Sequence, residues 1–416
     1  MATTCRRFAI GDGRDDRSAV DGKPAMIVLA LNSGSSSLKF GLYRVGAARI
    51  EVLLSGEAES IGSNTGKFSA IDSREQEVAA EVRHFANQSD AFARIALLLS
   101  SANVPSPTAI GHRVVHGGAG LRVHCAIDDA VLRQLKAAAT FAPLHAPAAL
   151  AVIDLSRKHF PGLPQVACFD TTFHATMPDV ARVLPIPRAL QAEGVQRYGF
   201  HGLSCESIVR QLAGDTPERV PDRLVIAHLG NGASVTAVKH GKSIDTSMGL
   251  TPTGGVIMGT RSGDIDPGVL IYLLREKKYA AATLEKLLNQ QSGMIGISGI
   301  SSDMRRLHEA APTNAHARLA VLMFCYSVRK QIASMIAALD GVDRLVFTGG
   351  IGENDAEVRA SICDGLSWIG MSLDESRNQS GTNPINTPAS RCAINVLSAE
   401  EDKQIARHTG LLCSAS

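Results

Sequence analysis

What most limits the fold of this chain is an echo within it. "MIVLALNSGSSSLKFGLYRV" (26–45) runs an apolar strand into a turn holding Asn, Gly and four Ser, then into an alternating strand. "RLVIAHLGNGASVTAVKHGKSIDT" (223–246) repeats the plan: an apolar strand, a tight turn with Asn and Gly, then Ser234 and Thr236 in a second alternating strand. A hairpin turn needs little beyond Asn-Gly chemistry. Ser35, Ser36, Ser37 and Lys39 are therefore surplus to reversing the chain. They are donors, and a donor-lined turn suits an anion. Two such units point to a duplicated βββα-type core with a ligand held between the halves; two ordinary, unrelated hairpins are the alternative.

The rest of the chain fits layers of helix and sheet. Strand-like runs at 26–31, 166–169, 224–229 and 344–348 each end at glycine or acidic turns, with helical stretches at 128–140, 146–158 and 315–339 between them. In the last, Leu319, Leu322, Met323, Tyr326, Ile332, Met335, Ile336 and Leu339 fall on one expected core stripe. Thr382–Pro388 is polar and reads as an exposed loop. A length of 416 residues allows one large domain or two ordinary ones. Aromatic residues at 4% are too few for nucleic-acid stacking platforms, and 42 basic against 40 acidic residues leave no field for nucleic acid or an anionic membrane. No apolar run approaches roughly 18 residues, so no bilayer span is expected. The eight cysteines are scattered, which fits reduced thiols in a cytoplasmic protein better than a disulfide framework or a metal site. Residues 1–25 lack the apolar core of a signal peptide, and Asp12, Asp15 and Asp16 argue against a transit peptide. They read as a disordered extension ahead of Met26.

Familiar phosphate motifs are excluded. "KHGKS" (239–243) resembles the end of a P-loop, but Thr236 stands where the first glycine must be, and "LGNGASV" lacks the third glycine of a dinucleotide fingerprint. "HRVVH" (112–116) has Arg113 where a zinc protease needs Glu. Other stretches place polar side chains at strand ends. Arg113 in "GHRVVHGG" and Arg261 in "MGTRSGDIDPGV" are either pre-organised for an anion or tied in salt bridges. Asp170 in "ACFDTTFH" is a cation holder or a helix cap. Glu400 and Glu401 open an apparent helix, where acids are common for dipole reasons alone. His145 and His201 lie between proline- and glycine-rich turns, and Gly349, Gly350 and Gly352 in "FTGGIGEN" allow backbone to approach a flat ligand.

Taken in order, "LNSGSSSLKF", "GHRVVHGG", "APLH", "FDTTFH", "YGFHG", "HLGNGAS", "GTRSGDIDPG", "SSDMR" and "FTGGIGEN" resemble the acetokinase family of acetate kinases, within the actin-like ATPase and sugar-kinase superfamily. The resemblance covers residues 26–410. It implies an α/β fold with a duplicated, ribonuclease H-like βββαβα core: residues 26–173 plus 400–416 on the acyl side, residues 174–399 binding nucleotide and dimerising, and an active-site cleft between them. It implies reversible in-line phosphoryl transfer between ATP and acetate, with Mg²⁺ (or Mn²⁺ in its place), in a cytoplasmic homodimer. Asn32, Ser35, Ser37 and Lys39 would form one phosphate loop, and His228, Leu229, Gly230, Asn231 and Gly232 the other. Asp303, Met304, Arg305 and Gly349, Gly350, Ile351, Gly352, Glu353 and Asn354 would hold the nucleoside. Asn32, Asp170 and Glu400 would serve the metal. Arg113, His145, Asp170, His201 and Arg261 would surround the phosphoryl group, and Val115, Leu144, Phe200 and Pro252 would line the methyl pocket.

This chain also departs from the family pattern: Met304 replaces a usual Phe, "HGLSC" a usual HGTSH, "HAP" a usual HNP and "TPTGG" a usual TPLEG. Propionate and butyrate are the alternative acids. A sugar kinase would need a catalytic Asp to take a hydroxyl proton, and an actin-like nucleotide switch would turn over negligibly.

Overall fold

The computed structural model describes residues 25–414 apart from 35, 48 and 143–145. The expectations for residues 1–24, Ser35, Leu144 and His145 lie outside the described residues. Thirteen strands form two sheets among the described residues. The first contains β1 (Met26–Ser33), β2 (Leu38–Val45), β3 (Ile50–Glu59), β4 (Gly66–Asp72), β5 (Glu77–Arg83), β6 (Ala109–Val114), β7 (Cys125–Ala126) and β8 (Gln165–Phe169), in the order β5-β4-β3-β2-β1-β6-β8-β7. The second contains β9 (Arg223–Leu229), β10 (Ala233–Lys239), β11 (Lys242–Thr246), β12 (Arg344–Thr348) and β13 (Ala393–Val396), in the order β11-β10-β9-β12-β13. Each sheet has an antiparallel meander whose first strand pairs in parallel with a later one, β1 with β6 and β9 with β12, followed by a second parallel neighbour. The shared order is the duplication that the echoed hairpins announce.

Both leading strands read as nearly continuous apolar runs because both of their faces are covered. Leu29 and Leu31 of β1 pack with Phe92, Ile95 and Val152, from the helices Gln88–Ser101 and Ala146–His159. Val28 and Ala30 face the other way, onto Leu203, Ile405 and Ala406. In β9, Val225, Ala227 and Leu229 pack with Phe324, Val328 and Ile332 of the helix Ala315–Ala338, while Leu224 and Ile226 meet Cys205 and Ile208 of the helix Gly202–Ala213. The period-two alternation of a strand therefore sorts each run into two cores. The C-terminal helix Glu401–Ser414 lies against β1, β6 and β8, which brings its first turn to the mouth of the β1–β2 turn.

Two sequence expectations need correction. The buried face of the helix Ala315–Ala338 is Ala317, Ala320, Phe324, Cys325, Val328, Ile332 and Met335; Leu322 and Tyr326 are 56% and 58% exposed, and Leu319 and Met323 are exposed beside them. The helix is apolar around most of its circumference, so the stripe pattern alone could not choose its core face. By length and composition alone this helix could cross a membrane, but Ala317, Ala320, Phe324, Cys325, Val328, Ile332 and Met335 are buried in the core of the second sheet. In Thr382–Pro388, Ile385 is fully buried and its N–H donates to the Ile394 carbonyl at 2.8 Å, so this loop is pinned to the core at its middle.

Candidate active site

The two sheets meet at a cleft of about 900 Å³. Its floor is built from strand ends. Asn32 ends β1, Arg113 lies near the end of β6, and Asp170 follows β8, so parallel neighbours deliver three polar side chains to one place. Arg113 donates from Nε and Nη2 to the Asp170 carboxylate at 3.0 and 2.7 Å, and from Nη1 to Asn32 Oδ1 at 3.0 Å. The amide of Asn32 donates to Glu401 Oε2 and Asp402 Oδ1, each at 3.0 Å. Burial works against the Arg113 charge, but Asp170 and Glu401 hold the guanidinium protonated well above its ordinary range. Burial pushes the Asp170 carboxyl up against the pull of Arg113. It does the same to Asp402, with the Glu401 charge adding to it.

Glu400 shares its expected place with Glu401. It lines the cleft, but its carboxylate takes the Lys403 ammonium at 3.0 Å, and Glu401 is the acid that reaches Asn32 and lies 3.4 Å from Arg113. Glu401 and Asp402 stand four residues before Ile405 and Ala406, both buried against the first sheet, so helical phase puts all four on one side. That signal was available in the sequence. The acids Asp170, Glu401 and Asp402 outnumber the cations Arg113 and Lys39 in this neighbourhood. A group of buried carboxylate oxygens with a surplus of negative charge fits a hard divalent cation such as Mg²⁺ or Mn²⁺.

The β1–β2 turn is braced from behind. Gly34 N–H donates to the Ser37 carbonyl at 2.9 Å, and Gln88 at the head of the next helix donates to the Gly34 carbonyl at 3.1 Å. Ser37 and Lys39 line the cleft, and Lys39 lies 3.7 Å from Glu57. The β9–β10 turn presents His228, Gly230, Asn231 and Gly232 to the same space, and β12 ends in a short helix, Gly349–Asn354, that adds Gly349, Gly350, Glu353 and Asn354. Gly349 has φ 77°, and a Cβ there would stand 2.8 Å from the Leu229 carbonyl, so only glycine lets the two turns approach. Glu353 turns inward and accepts from Gly349 N–H at 2.9 Å and Ala399 N–H at 3.1 Å. It ties the third turn to the segment that leads into the C-terminal helix.

Other expected residues are not brought to the cleft lining. Leu229 is core, Ile351 packs partly against it, and Gly352 is buried beneath the turn. Met304 is buried in the second core, and Arg305 bends back to Asp303 at 2.8 Å from a largely exposed position.

The opposite wall holds Val115, Phe200, His201, Pro252 and Arg261. His201 precedes the helix Gly202–Ala213 in a left-handed conformation, φ 58°, and Gly202 N–H donates to the Asp170 carbonyl at 2.9 Å. Its ring stacks on His228 with centroids 4.1 Å apart. Burial, then the charges of His228, Arg113 and Arg261, hold His201 neutral, and burial holds His228 down to about 4. Arg261 is buried, and burial and the like charge of Arg113 bring its pKa down to about 10. Nη1 donates to the Pro252 carbonyl at 2.6 Å, and no acid pairs with this guanidinium among the described residues. Behind Phe200 lies His116, which sequence reasoning passed over; its ring packs on Phe141, Tyr198 and Phe200, and it accepts from Gly118 N–H at 2.8 Å.

A duplicated core with donor-lined turns at one cleft, which also holds one guanidinium fixed by acids and a second without an acid partner among the described residues, has the layout of a phosphotransferase. Residues 27–407 match the model of the Acetokinase family. An acetate kinase of Methylocella silvestris is 42% identical over 92% of this chain and 96% of its own length, and one of Thermosynechococcus vestitus is 41% identical over 93% and 98%. A propionate kinase from Francisella tularensis superposes with TM-score 0.85 at 38% identity, covering 93% of this chain and 100% of that one; an acetate kinase from Porphyromonas gingivalis does so with TM-score 0.80 at 34% identity, covering 94% and 100%. The chain belongs to the acetokinase family.

Proposed function

We propose that this chain is an acetate kinase, moving the terminal phosphoryl group of ATP to acetate in line and reversibly. The observation that carries the reading is Arg261: a buried guanidinium facing the cleft, anchored by a backbone carbonyl and without an acid partner among the described residues. Such a cation is open to an anion, and it shares the cleft with Arg113. Acetate is ionised at neutral pH, so its carboxylate attacks without a general base. Catalysis then rests on positioning and on charge. Arg113, its fork fixed by Asp170, orients the acid; Arg261 and the neutral N–H of His201 meet the phosphoryl oxygens. Asn32, Ser37 and Lys39, with Ser35, hold phosphate from one side, and His228 to Gly232 from the other. The nucleoside lies at Gly349–Asn354, with Asp303 and Arg305 beyond the lining. Asp170 and Glu401, with Asn32, would hold Mg²⁺, which supplies neutralisation of the nucleotide phosphates. Val115, Phe200 and Pro252, with Leu144, enclose the methyl group, and His145 stands with the catalytic group. The acyl side is assigned to 26–173 plus 400–416 and the nucleotide side to 174–399. A second copy of the chain covers the exposed apolar face of the helix Ala315–Ala338.

The similarity to a propionate kinase favours one other acid. The test is to trap acyl phosphate with hydroxylamine from acetate, propionate and butyrate in the presence of ATP and Mg²⁺. Acetate is expected to lead. The penalty for one added methylene is on the order of 1–3 kcal/mol in an apolar pocket, so propionate should react more poorly. A higher kcat/KM for propionate would install the second reading, and no hydroxamate from any of the three acids would reject both.

A further inference from the structure

We propose that Ser234 is a positioning residue that fixes His201 as the tautomer carrying its proton on Nε2, so that the ring offers the cleft a donor and not a lone pair. This rests on the acyl-phosphate chemistry proposed above, in which that donor meets a phosphoryl oxygen. The Ser234 side chain has no exposure to solvent, and its Oγ lies 3.0 Å from His201 Nδ1. No other partner of this hydroxyl is seen among the described residues. A hydroxyl carries one proton, and a buried donor left unmade is costly. If Nδ1 donated to Oγ, the serine proton would have no acceptor. The serine must therefore donate and Nδ1 must accept. A neutral ring whose Nδ1 lone pair is used in this way carries its hydrogen on Nε2.

The surroundings place that nitrogen where it matters. Nε2 lies 3.3 Å from where a Cβ on Gly232 would stand, and Arg261 Nη2 lies 3.0 Å from the same point, so both donors border the β9–β10 turn. The backbone of His201 is held by the Gly202 N–H bond to the Asp170 carbonyl, and its ring lies on His228. The stacked ring repeats the device, with His228 Nδ1 2.8 Å from the equally buried Ser204 Oγ. Ser234 reaches His201 because strand alternation turns Ser234 and Thr236 of β10 toward the helix Gly202–Ala213, where Cys205 Sγ donates to Thr236 Oγ1 at 3.7 Å, while Val235 faces the other core.

Two measurements test this. In the wild-type protein with ¹⁵N-labelled histidine, the ring resonances of His201, assigned by their loss in His201→Gln, should report a bare Nδ1 and a protonated Nε2; a protonated Nδ1 would overturn the proposal whether or not any variant folds. In a double-mutant cycle, Ser234→Ala should lower kcat about 10–100-fold with KM for ATP and acetate changed less than about threefold, a smaller loss than the roughly 10²–10³-fold seen when an oxyanion donor is itself removed. In the His201→Gln background, where the side-chain amide donates without a tautomer to be set, the same change should cost less than about threefold. Fully multiplicative losses would mean that Ser234 does not act through His201. If no acid supports turnover, the proposed function fails alone, because the ring resonances decide the tautomer without catalysis.

Discussion

Two neighbouring acids, Glu400 and Glu401, differ by about 100° of helical rotation, and that rotation separates an acid paired with Lys403 from the centre of the site. Glu401 accepts from Asn32 and faces Arg113, whereas Glu400 is half-buried and bonded to Lys403. Glu401→Gln should lower kcat/KM by about 100-fold or more and raise the Mg²⁺ concentration needed for half-maximal rate, since it removes charge where phosphates and a cation meet. Glu400→Gln should stay within about threefold of wild type, because its carboxylate is already taken up by the Lys403 ammonium. Steady-state rates over a Mg²⁺ titration of both variants separate the two, and equal losses would return Glu400 to the site. Residues at strand ends, such as Arg113 and Asp170, were legible because a polar group that closes an apolar strand must face an edge. Ser204 and Ser234 were not, because a buried serine in an apolar run carries no mark of the imidazole it serves.

At the scale of elements, the echoed hairpins disclosed both sheets, and the strand runs landed within a residue or two of β1, β8, β9 and β12. Helix faces were less legible. The helix Ala315–Ala338 buries Phe324, Val328 and Ile332 and exposes Leu319, Leu322, Met323 and Tyr326, while the helix Pro267–Arg275 buries none of its side chains despite Val269, Ile271, Tyr272 and Leu274. The two belong to one region, since Asp264, just ahead of the second helix, meets Gln331 of the first at 3.5 Å. A large exposed apolar surface marks an interaction site, and a self-complementary patch closes most simply as a two-fold dimer. Light scattering should give twice the chain mass for the wild type. Leu322→Asp combined with Tyr326→Asp should give a folded monomer, because each places a charge in the covered face without touching the core. A wild-type monomer, or a double variant that remains dimeric, would show that this face is not the interface. A different cluster, His124, Glu206 and His408, joins the helix Gly202–Ala213 to the C-terminal helix. His124 Nδ1 accepts from Phe169 N–H at 3.0 Å, which leaves its other nitrogen protonated, and His408 lies 2.7 Å from Glu206; the group is a hydrogen-bonded tie and not a set of free metal ligands.

The whole molecule stores acid sensitivity in its buried imidazoles. His112, His116, His174 and His228 are each buried and held to about 4, with burial the leading cause in every case, and burial also holds His201 well below its ordinary value. They serve different parts: His112 bonds Gln165 in the first core, His174 bridges Ser243 and the Phe200 carbonyl, and His116 backs the acyl wall. Their sign is common. In the unfolded chain each takes a proton as pH falls through about 6.5, whereas in the fold each stays neutral down to about 4. Below about 6.5 the unfolded state therefore binds more protons, and stability falls with pH. Asp170 and Asp402, raised by burial, take protons more readily in the fold than in the unfolded chain and oppose this. Glu206, held to about 2 by His408 and His124 against the penalty of burial, loses its contribution only as pH drops below the ordinary carboxylate range. Four imidazoles at roughly 1.4 kcal/mol per pH unit each make a slope of about 6 kcal/mol per unit below their unfolded pKa, comparable with the whole stability of a typical domain, about 5–15 kcal/mol. The urea midpoint at pH 5.5 should accordingly be about half that at pH 7.5 or less, with most of the fall below pH 6.5. His112→Gln should flatten the slope by about one proton while leaving the active site untouched. An unchanged midpoint between pH 7.5 and 5.5 would mean that these rings are charged in the fold, and the neutral donor assigned to His201 would lose its electrostatic basis with them.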